Sequence, residues 1–146
     1  MTLYIDADGC PVARCAVELA RKYRVPCVLV CDTAHEIRIP GAETVTVSKG
    51  ADSADFALVN RVEAGDLVIT QDYGLAAMCL SRRAIPVHQD GMVYTEENID
   101  GLLFFRAAAG KIRRSGGRLR GPAKRTARQD QDFSACLERL LQEAAL

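Results

Sequence analysis

A chain of 146 residues, 49% of them hydrophobic and 26% charged, matches one compact domain with a core of its own. Only eleven glycines and five prolines occur, which excludes collagen-like and wholly disordered chains, and the composition excludes a coiled coil. Nineteen basic residues balance nineteen acidic ones, so no overall charge excess points to a partner.

The longest apolar stretches, such as residues 25–31, fall far short of the ~18–20 residues of a membrane-spanning helix. The N-terminus shows no secretory signal pattern, so the expected setting is the cytoplasm, with no membrane partner. Six cysteines lie mostly among apolar residues and read as reduced, buried small hydrophobes. Cys10 with Cys15 and Cys27 with Cys31 lack the C-x-x-C spacing and the following histidines of a zinc site.

Residues 3–5 form a short apolar run ending in Asp6-Ala7-Asp8-Gly9, which suits a buried strand entering a turn. Pro11 fits the first position of a helix, and Val12, Cys15, Ala16, Leu19, Ala20 and Tyr23 recur at helical spacing until Pro26 stops the pattern. Residues 27–31 read as a second buried strand, and residues 44–47, rich in β-branched side chains, as a third. Asp52 or Ser53 caps a helix whose apolar side carries Phe56, Val59 and Val62. Residues 67–70 are a fourth strand, Leu75, Met78 and Cys79 share one side of the short helix behind it, and residues 85–87 are a fifth strand. Strands apolar on both faces, alternating with helices, predict an α/β three-layer sandwich with a mainly parallel central sheet of about five strands. Thr95, followed by Glu96 and Glu97, opens a helix carrying Ile99, Leu102 and Leu103. A last helix near residues 130–145 spaces Phe133, Leu137, Leu140 and Leu141 at i, i+4, i+7 and i+8. The chain is thus expected to be a single domain over 1–146, with an α/β core at 1–95 and a helical C-terminal part at 96–146. Gly110, Gly116, Gly117, Gly121 and Pro122 mark a basic loop over 110–128 within that part.

The charge balance conceals a division. Residues 1–100 hold 15 acidic and 9 basic side chains, and residues 101–146 hold 4 and 10. Between Arg106 and Arg128 there are nine basic residues and no acidic one. Such a run is either a solvated face or a footprint for the phosphate backbone of nucleic acid. The candidate contacts are Lys111, Arg113, Arg114, Arg118, Arg120, Lys124 and Arg125. Few aromatic side chains are expected at the surface, so base stacking is not expected to dominate.

In open parallel sheets, ligands bind outside the carboxyl ends of the strands. Asp6 and Asp8 follow the first strand, Asp32 the second and Asp72 the fourth. Asp52 and Asp55, three apart on one helix face, open the helix after the third. Carboxylates converging on one rim repel one another unless a cation neutralises them, and an all-oxygen site suits Mg²⁺ or Mn²⁺. Each acid also has a local role open to it. Asp52 and Asp55 can form a capping pair, Asp72 can cap the helix at Leu75, and Asp8 can stabilise the turn before Pro11. Asp66 reads as a loop residue. Thr70 and Gln71 flank Asp72 and are placed to orient it or a bound water. His35 reads as a surface residue and His88 as the polar end of the fifth strand; neither enters the mechanism.

The strings Ile5-Asp6-Ala7-Asp8-Gly9-Cys10-Pro11-Val12, Gly50-Ala51-Asp52-Ser53-Ala54-Asp55 and Gly65-Asp66-Leu67-Val68-Ile69-Thr70-Gln71-Asp72-Tyr73-Gly74-Leu75-Ala76 together resemble the YaiI/YqxD family of uncharacterised bacterial proteins. Tyr94-Thr95-Glu96-Glu97-Asn98-Ile99, Gly121-Pro122 and residues 130–133 resemble that family's C-terminal half. The resemblance implies a fold near the PIN-like and NYN-type nucleases, with Asp6, Asp8, Asp52, Asp55 and Asp72 on a rim that binds Mg²⁺ or Mn²⁺. Asp32 stands where Asn or Ser is expected.

The leading expectation is a metal-dependent nuclease or phosphodiesterase acting on nucleic acid, with RNA as the favoured class. Asp6 and Asp72 would be its catalytic primary ligands, Asp8, Asp52 and Asp55 would act through waters or a second ion, and Arg113, Arg114, Arg118 and Arg120 would clamp phosphates. Two alternatives stay open. One is a non-catalytic nucleic-acid-binding module that keeps the acidic rim as structure. The other is a haloacid-dehalogenase-like phosphatase, since Asp6-Ala7-Asp8-Gly9 resembles the start of a D-x-D-G-T motif, with Cys10 in place of the threonine. Asp6 would then be the nucleophile, Asp8 the general acid and Lys49 a charge partner.

Overall fold

The computed structural model describes residues 1–49, 53–117 and 123–145. In chain order the elements are β1 (Leu3–Asp6), α1 (Ala13–Lys22), β2 (Cys27–Asp32), β3 (Glu43–Val47), α2 (Ser53–Arg61), β4 (Leu67–Ile69), α3 (Tyr73–Ser81), β5 (Ile85–Val87), α4 (Glu96–Arg114) and α5 (Ala127–Ala144). The five strands pair in parallel throughout, in the order β3-β2-β1-β4-β5.

Strand alternation divides the core into two faces. Leu3, Ile5, Leu29, Leu67 and Ile69 pack beneath α1 and α5, against Ala16, Val17, Phe133, Leu137 and Leu141. Tyr4, Val28, Val30 and Val68 point to the opposite face, where Leu58 and Val59 of α2 and Leu75 and Cys79 of α3 cover them. This two-sided burial is why the strands read as unbroken apolar runs. The third layer extends outward, because Ala76 of α3 and Tyr94 carry Ile99 of α4 in a smaller cluster. No described helix is long and apolar enough to cross a membrane.

Several expectations need correction. Pro11 is not the first residue of α1. Val12 is its N-cap, and the helix ends at Lys22, before Pro26, because Arg24 adopts a left-handed φ of 57° and the Val25 amide bonds back to Ala20 O at 2.8 Å. Phe56 is not on the buried side of α2: it is 57% exposed, whereas Leu58 and Val62 are buried. At 3.6 residues per turn, Leu58, Val59 and Val62 set a face that Phe56 falls outside. The basic loop is shorter than expected, since α4 continues through Gly110 to Arg114 and places Lys111, Arg113 and Arg114 on helix. Ala107, Ala108 and Ala109 favour helix by more than one glycine opposes it, and the basic residues suit the negative end of the helix dipole. Asp66 lies in the loop before β4, as expected, but it is buried. Its carboxylate accepts the Thr2 and Glu63 amides, both at 2.9 Å, and so ties the start of β1 to the turn before β4.

Candidate metal centre

From β1 the chain proceeds to β2 and β3 on one side of the sheet and returns to β4 and β5 on the other, which makes the gap between β1 and β4 the topological switch point. The connections that leave the carboxyl ends of β1 and β4 run to opposite faces of the sheet, toward α1 and α3, and leave a crevice. Asp6 ends β1, and Thr70 follows the last residue of β4. Thr70 Oγ1 donates to Asp6 Oδ2 at 2.8 Å and accepts the Asp72 amide at 3.0 Å. The Thr70 carbonyl accepts the Tyr94 hydroxyl at 3.0 Å, and the residue is 2% exposed. Thr70 is therefore clamped on three sides, and it fixes the Asp6 carboxylate in turn.

Asp72 performs its local role and lines the crevice as well. As N-cap of α3 its Oδ1 accepts the amides of Gly74 and Leu75 at 2.8 and 3.2 Å, and Arg106 Nη1 approaches the same oxygen at 3.3 Å. At the end of β2, Asp32 Oδ1 accepts the amides of Ala34 and His35 and the His35 imidazole Nδ1. This turn brings His35 Nδ1 to 3.1 Å from both Asp32 Oδ1 and Asp8 Oδ1, with hydrogen-bond geometry only toward Asp32. Asp8 Oδ1 is shielded from solvent and accepts no hydrogen bond from any described residue.

Asp6, Asp8, Asp32, Asp55 and Asp72 thus line one hollow of about 240 Å³, together with Ala54 and Gln71. Burial pushes the Asp6 carboxyl from its ordinary 3.8 up to about 6, with Asp72 and Asp8 adding to the rise and the Thr70 hydroxyl opposing it. Partial desolvation raises Asp32 too, but hydrogen bonds from His35 and the Ala34 amide outweigh it and hold Asp32 below the usual carboxylate range. One ligand atom each from Asp8, Asp32 and His35 lie within 4.8 Å of one another.

The structure therefore brings Asp6, Asp8, Asp55 and Asp72 together as expected, and adds Asp32 and His35. Asp52 lies outside the described residues, as do Arg118 and Arg120. His35 had a signal in the Asp32-x-x-His35 spacing just past a strand end. Among the described residues no lysine lines the hollow, Lys49 included. Of the basic side chains, Lys111, Arg113, Arg114 and Lys124 are exposed. Arg125 is instead held by the protein itself: Nη1 reaches Asp90 Oδ1 at 2.6 Å, Nη2 Gln89 O at 2.6 Å and Nε Asp130 Oδ1 at 2.7 Å. It straps the start of α5 to the segment after β5.

The stretch carrying these side chains is also where the chain is similar to known proteins. The family model described as "Uncharacterized BCR, YaiI/YqxD family" matches residues 4–143. The chain belongs to the YaiI/YqxD family. It is similar to a UPF0178 protein of Exiguobacterium sibiricum, 51% identical over 143 residues and covering 98% of both chains. A UPF0178 protein of Clostridium acetobutylicum is 41% identical over 143 residues, with 97% of each chain covered. Another, from Ruminiclostridium cellulolyticum, is 43% identical over 137 residues, which are 94% of this chain and 90% of that one. No solved structure matches the chain. YaiI/YqxD membership thus embraces the acidic hollow, α4 and α5 together.

Proposed function

We propose that this YaiI/YqxD protein is a divalent-metal-dependent phosphodiesterase acting on nucleic acid, with RNA as the substrate class. The observation that carries the reading is the convergence of Asp6, Asp8, Asp32, Asp55 and Asp72 on one hollow at the sheet's switch point. The donor set fits Mg²⁺ or Mn²⁺, being carboxylate oxygens with one imidazole at the edge. Two features of the residues support that fit. Asp6 is held against ionisation until about pH 6 by burial and by its acidic neighbours, and Asp8 Oδ1 is shielded from solvent and accepts no hydrogen bond from the described residues, with His35 Nδ1 3.1 Å away. A divalent ion in such a rim lowers the pKa of a bound water and neutralises charge on a phosphoryl oxygen.

The chain's own residues divide the remaining work. Asp6 and Asp72 are the primary ligands, and Asp8 and Asp55 complete the rim, with Asp52 assigned there by sequence alone. Thr70 holds Asp6 in one orientation, as a hydrogen-bonded outer partner does for a metal ligand. Arg106, beside Asp72, and the exposed Lys111, Arg113, Arg114 and Lys124 attract phosphates that the acidic rim alone would repel. Arg118 and Arg120 extend that basic set by sequence. The PIN-like kinship implied by the resemblance belongs to this proposal, as does a cytoplasmic setting, where the six free thiols would stay reduced.

Incubating single-stranded RNA with purified protein and Mn²⁺, alongside an Asp6→Asn variant, tests the reading. Cleavage by the parent protein alone is expected. Equal cleavage by both would end the assignment, and salt-sensitive binding without cleavage under any divalent ion would leave a binding module in its place.

A further inference from the structure

Beside the acidic hollow lies a second one of about 220 Å³ that shares Asp55 and Asp72 with it and is otherwise lined by Phe56, Gly74, Leu75, Met78 and Arg106. Its character is different. Met78 and Leu75 supply an apolar floor, and Phe56 presents a phenyl ring that is 57% exposed although α2 buries its neighbours Leu58 and Val59. A single exposed phenylalanine is ordinary on a protein surface. What sets Phe56 apart is that its ring shares a cavity with two carboxylates of the metal rim and with a guanidinium.

Arg106 lines the second hollow and meets Asp72, which lines both. It is 60% exposed and touches Asp72 Oδ1 at 3.3 Å, which leaves most of its five donors open to an anion. Gly74 leaves room for this approach: a Cβ there would stand 3.1 Å from Arg106 Nη1 and 3.3 Å from Asp72 Oδ1, so the guanidinium would have to give by a few tenths of an ångström. Carboxylates, then a guanidinium, then an apolar floor with an aromatic ring is the order of chemistry along one nucleotide: a metal-bound phosphate, its neighbouring charge and its base. The volume is below the ~300–1,000 Å³ of ordinary small-molecule pockets, which matches one ring system. Bases in a duplex are stacked and paired and present no free face, so only an unpaired base can enter.

We infer that this second hollow is a nucleobase subsite in which Phe56 stacks an unpaired base of single-stranded nucleic acid while the adjoining phosphate lies at the acidic rim. The inference rests on the phosphodiesterase reading and narrows its substrate to single strands. The subsite reads no sequence, since every base offers a face for stacking and, among the described residues, no polar side chain except Arg106 and the two shared carboxylates lines the cavity.

The test is an anisotropy titration of a short fluorescent single-stranded RNA, and of a duplex of the same sequence, into wild type, Phe56→Ala, Phe56→Leu and Phe56→Trp. Mn²⁺ is present so that the rim can hold the phosphate, and the RNA carries a nuclease-resistant phosphorothioate backbone so that binding is read without cleavage. Phe56→Ala and Phe56→Leu are expected to weaken single-strand binding between about five- and about a hundredfold, with Phe56→Trp retaining it and the duplex bound alike by all four proteins. Equal single-strand affinity in wild type and Phe56→Ala overturns the inference. So does a loss shared by the duplex, or single-strand binding too weak to detect in wild type. Unchanged calorimetric Mn²⁺ binding by Phe56→Ala checks that fold and rim survive. Phe56-dependent binding in a protein that cleaves nothing with Mn²⁺ upholds the subsite and overturns only the phosphodiesterase reading.

Discussion

Thr70 and Asp6, 64 positions apart in the chain, meet across the β1–β4 junction in a hydrogen bond of 2.8 Å. The bond exists because the strand order sets β4 beside β1, and it is the only side-chain link described between the two strand ends that frame the acidic hollow. It lowers the Asp6 pKa against the larger effect of burial, so it favours the charged form a cation needs. Thr70→Val keeps the shape and deletes the hydroxyl. Loss of about 1–2 kcal/mol of stability is expected from the orphaned Asp72 amide and the Asp6 oxygen, together with about a tenfold weaker Mn²⁺ affinity. Calorimetric titration with Mn²⁺ checks it, and unaltered affinity would show that Thr70 does not position the ligand.

The raised pKa of Asp6 fixes the sign of a pH effect. The folded protein holds the Asp6 proton up to about pH 6, whereas an unfolded chain releases it near 3.8. Between those values the folded state binds more protons, so this group makes metal-free stability fall as pH rises from about 4 to about 6. Asp6→Asn removes the penalty and should stabilise the metal-free protein at pH 7 by an amount on the order of 1–3 kcal/mol. Urea unfolding in EDTA at pH 4.5 and pH 7 measures the difference. A variant less stable than wild type at pH 7 would contradict the electrostatic account of the rim.

Arg106 and Arg125 belong to the same basic run but should behave oppositely. Arg106→Ala removes an exposed guanidinium, so stability should change by no more than about 0.5 kcal/mol while the salt dependence of nucleic-acid binding falls by about one phosphate contact. Arg125, only 21% exposed and bonded to Asp90, Gln89 and Asp130, should cost about 2 kcal/mol or more on truncation and leave the salt dependence unchanged. Thermal melts paired with binding at two salt concentrations separate them. A reversal of the two patterns would mean that the basic footprint has been misplaced.

Gly91 supports the same strap from the other side. Its φ is +90°, and a Cβ there would stand 2.5 Å from the Asp132 carbonyl oxygen of α5. Gly91→Ala therefore meets both a backbone conformation alien to alanine and a contact with rigid backbone, and about 2 kcal/mol or more of stability should be lost. Denaturant midpoints would show it, and a neutral result would mean that α5 can shift away without penalty.

The reach of the sequence follows from what each residue answers to. A strand such as β4, Leu67–Ile69, is legible because burial on both faces forbids polar residues and leaves an uninterrupted run. Asp6 and Asp72 are legible because a strand end is a local feature, and the rule for open sheets turns it into a place. Strand order is not local, so nothing in the sequence shows that Thr70 would face Asp6. Arg125 escapes for the same reason: its partners Asp90 and Gln89 are 35 and 36 positions away, and composition cannot distinguish a strapped guanidinium from a free one. Phe56 is misread because a helix with four apolar candidates can bury only one face, and the sheet chose Leu58, Val59 and Val62.

The central claim is that the acidic hollow is a cation site, and a calorimetric titration of Mn²⁺ into metal-free wild type and Asp6→Asn at pH 7 tests it most directly. Saturable binding by wild type, weakened about tenfold or more in Asp6→Asn, is the predicted result. A flat wild-type titration at millimolar Mn²⁺ would contradict the account.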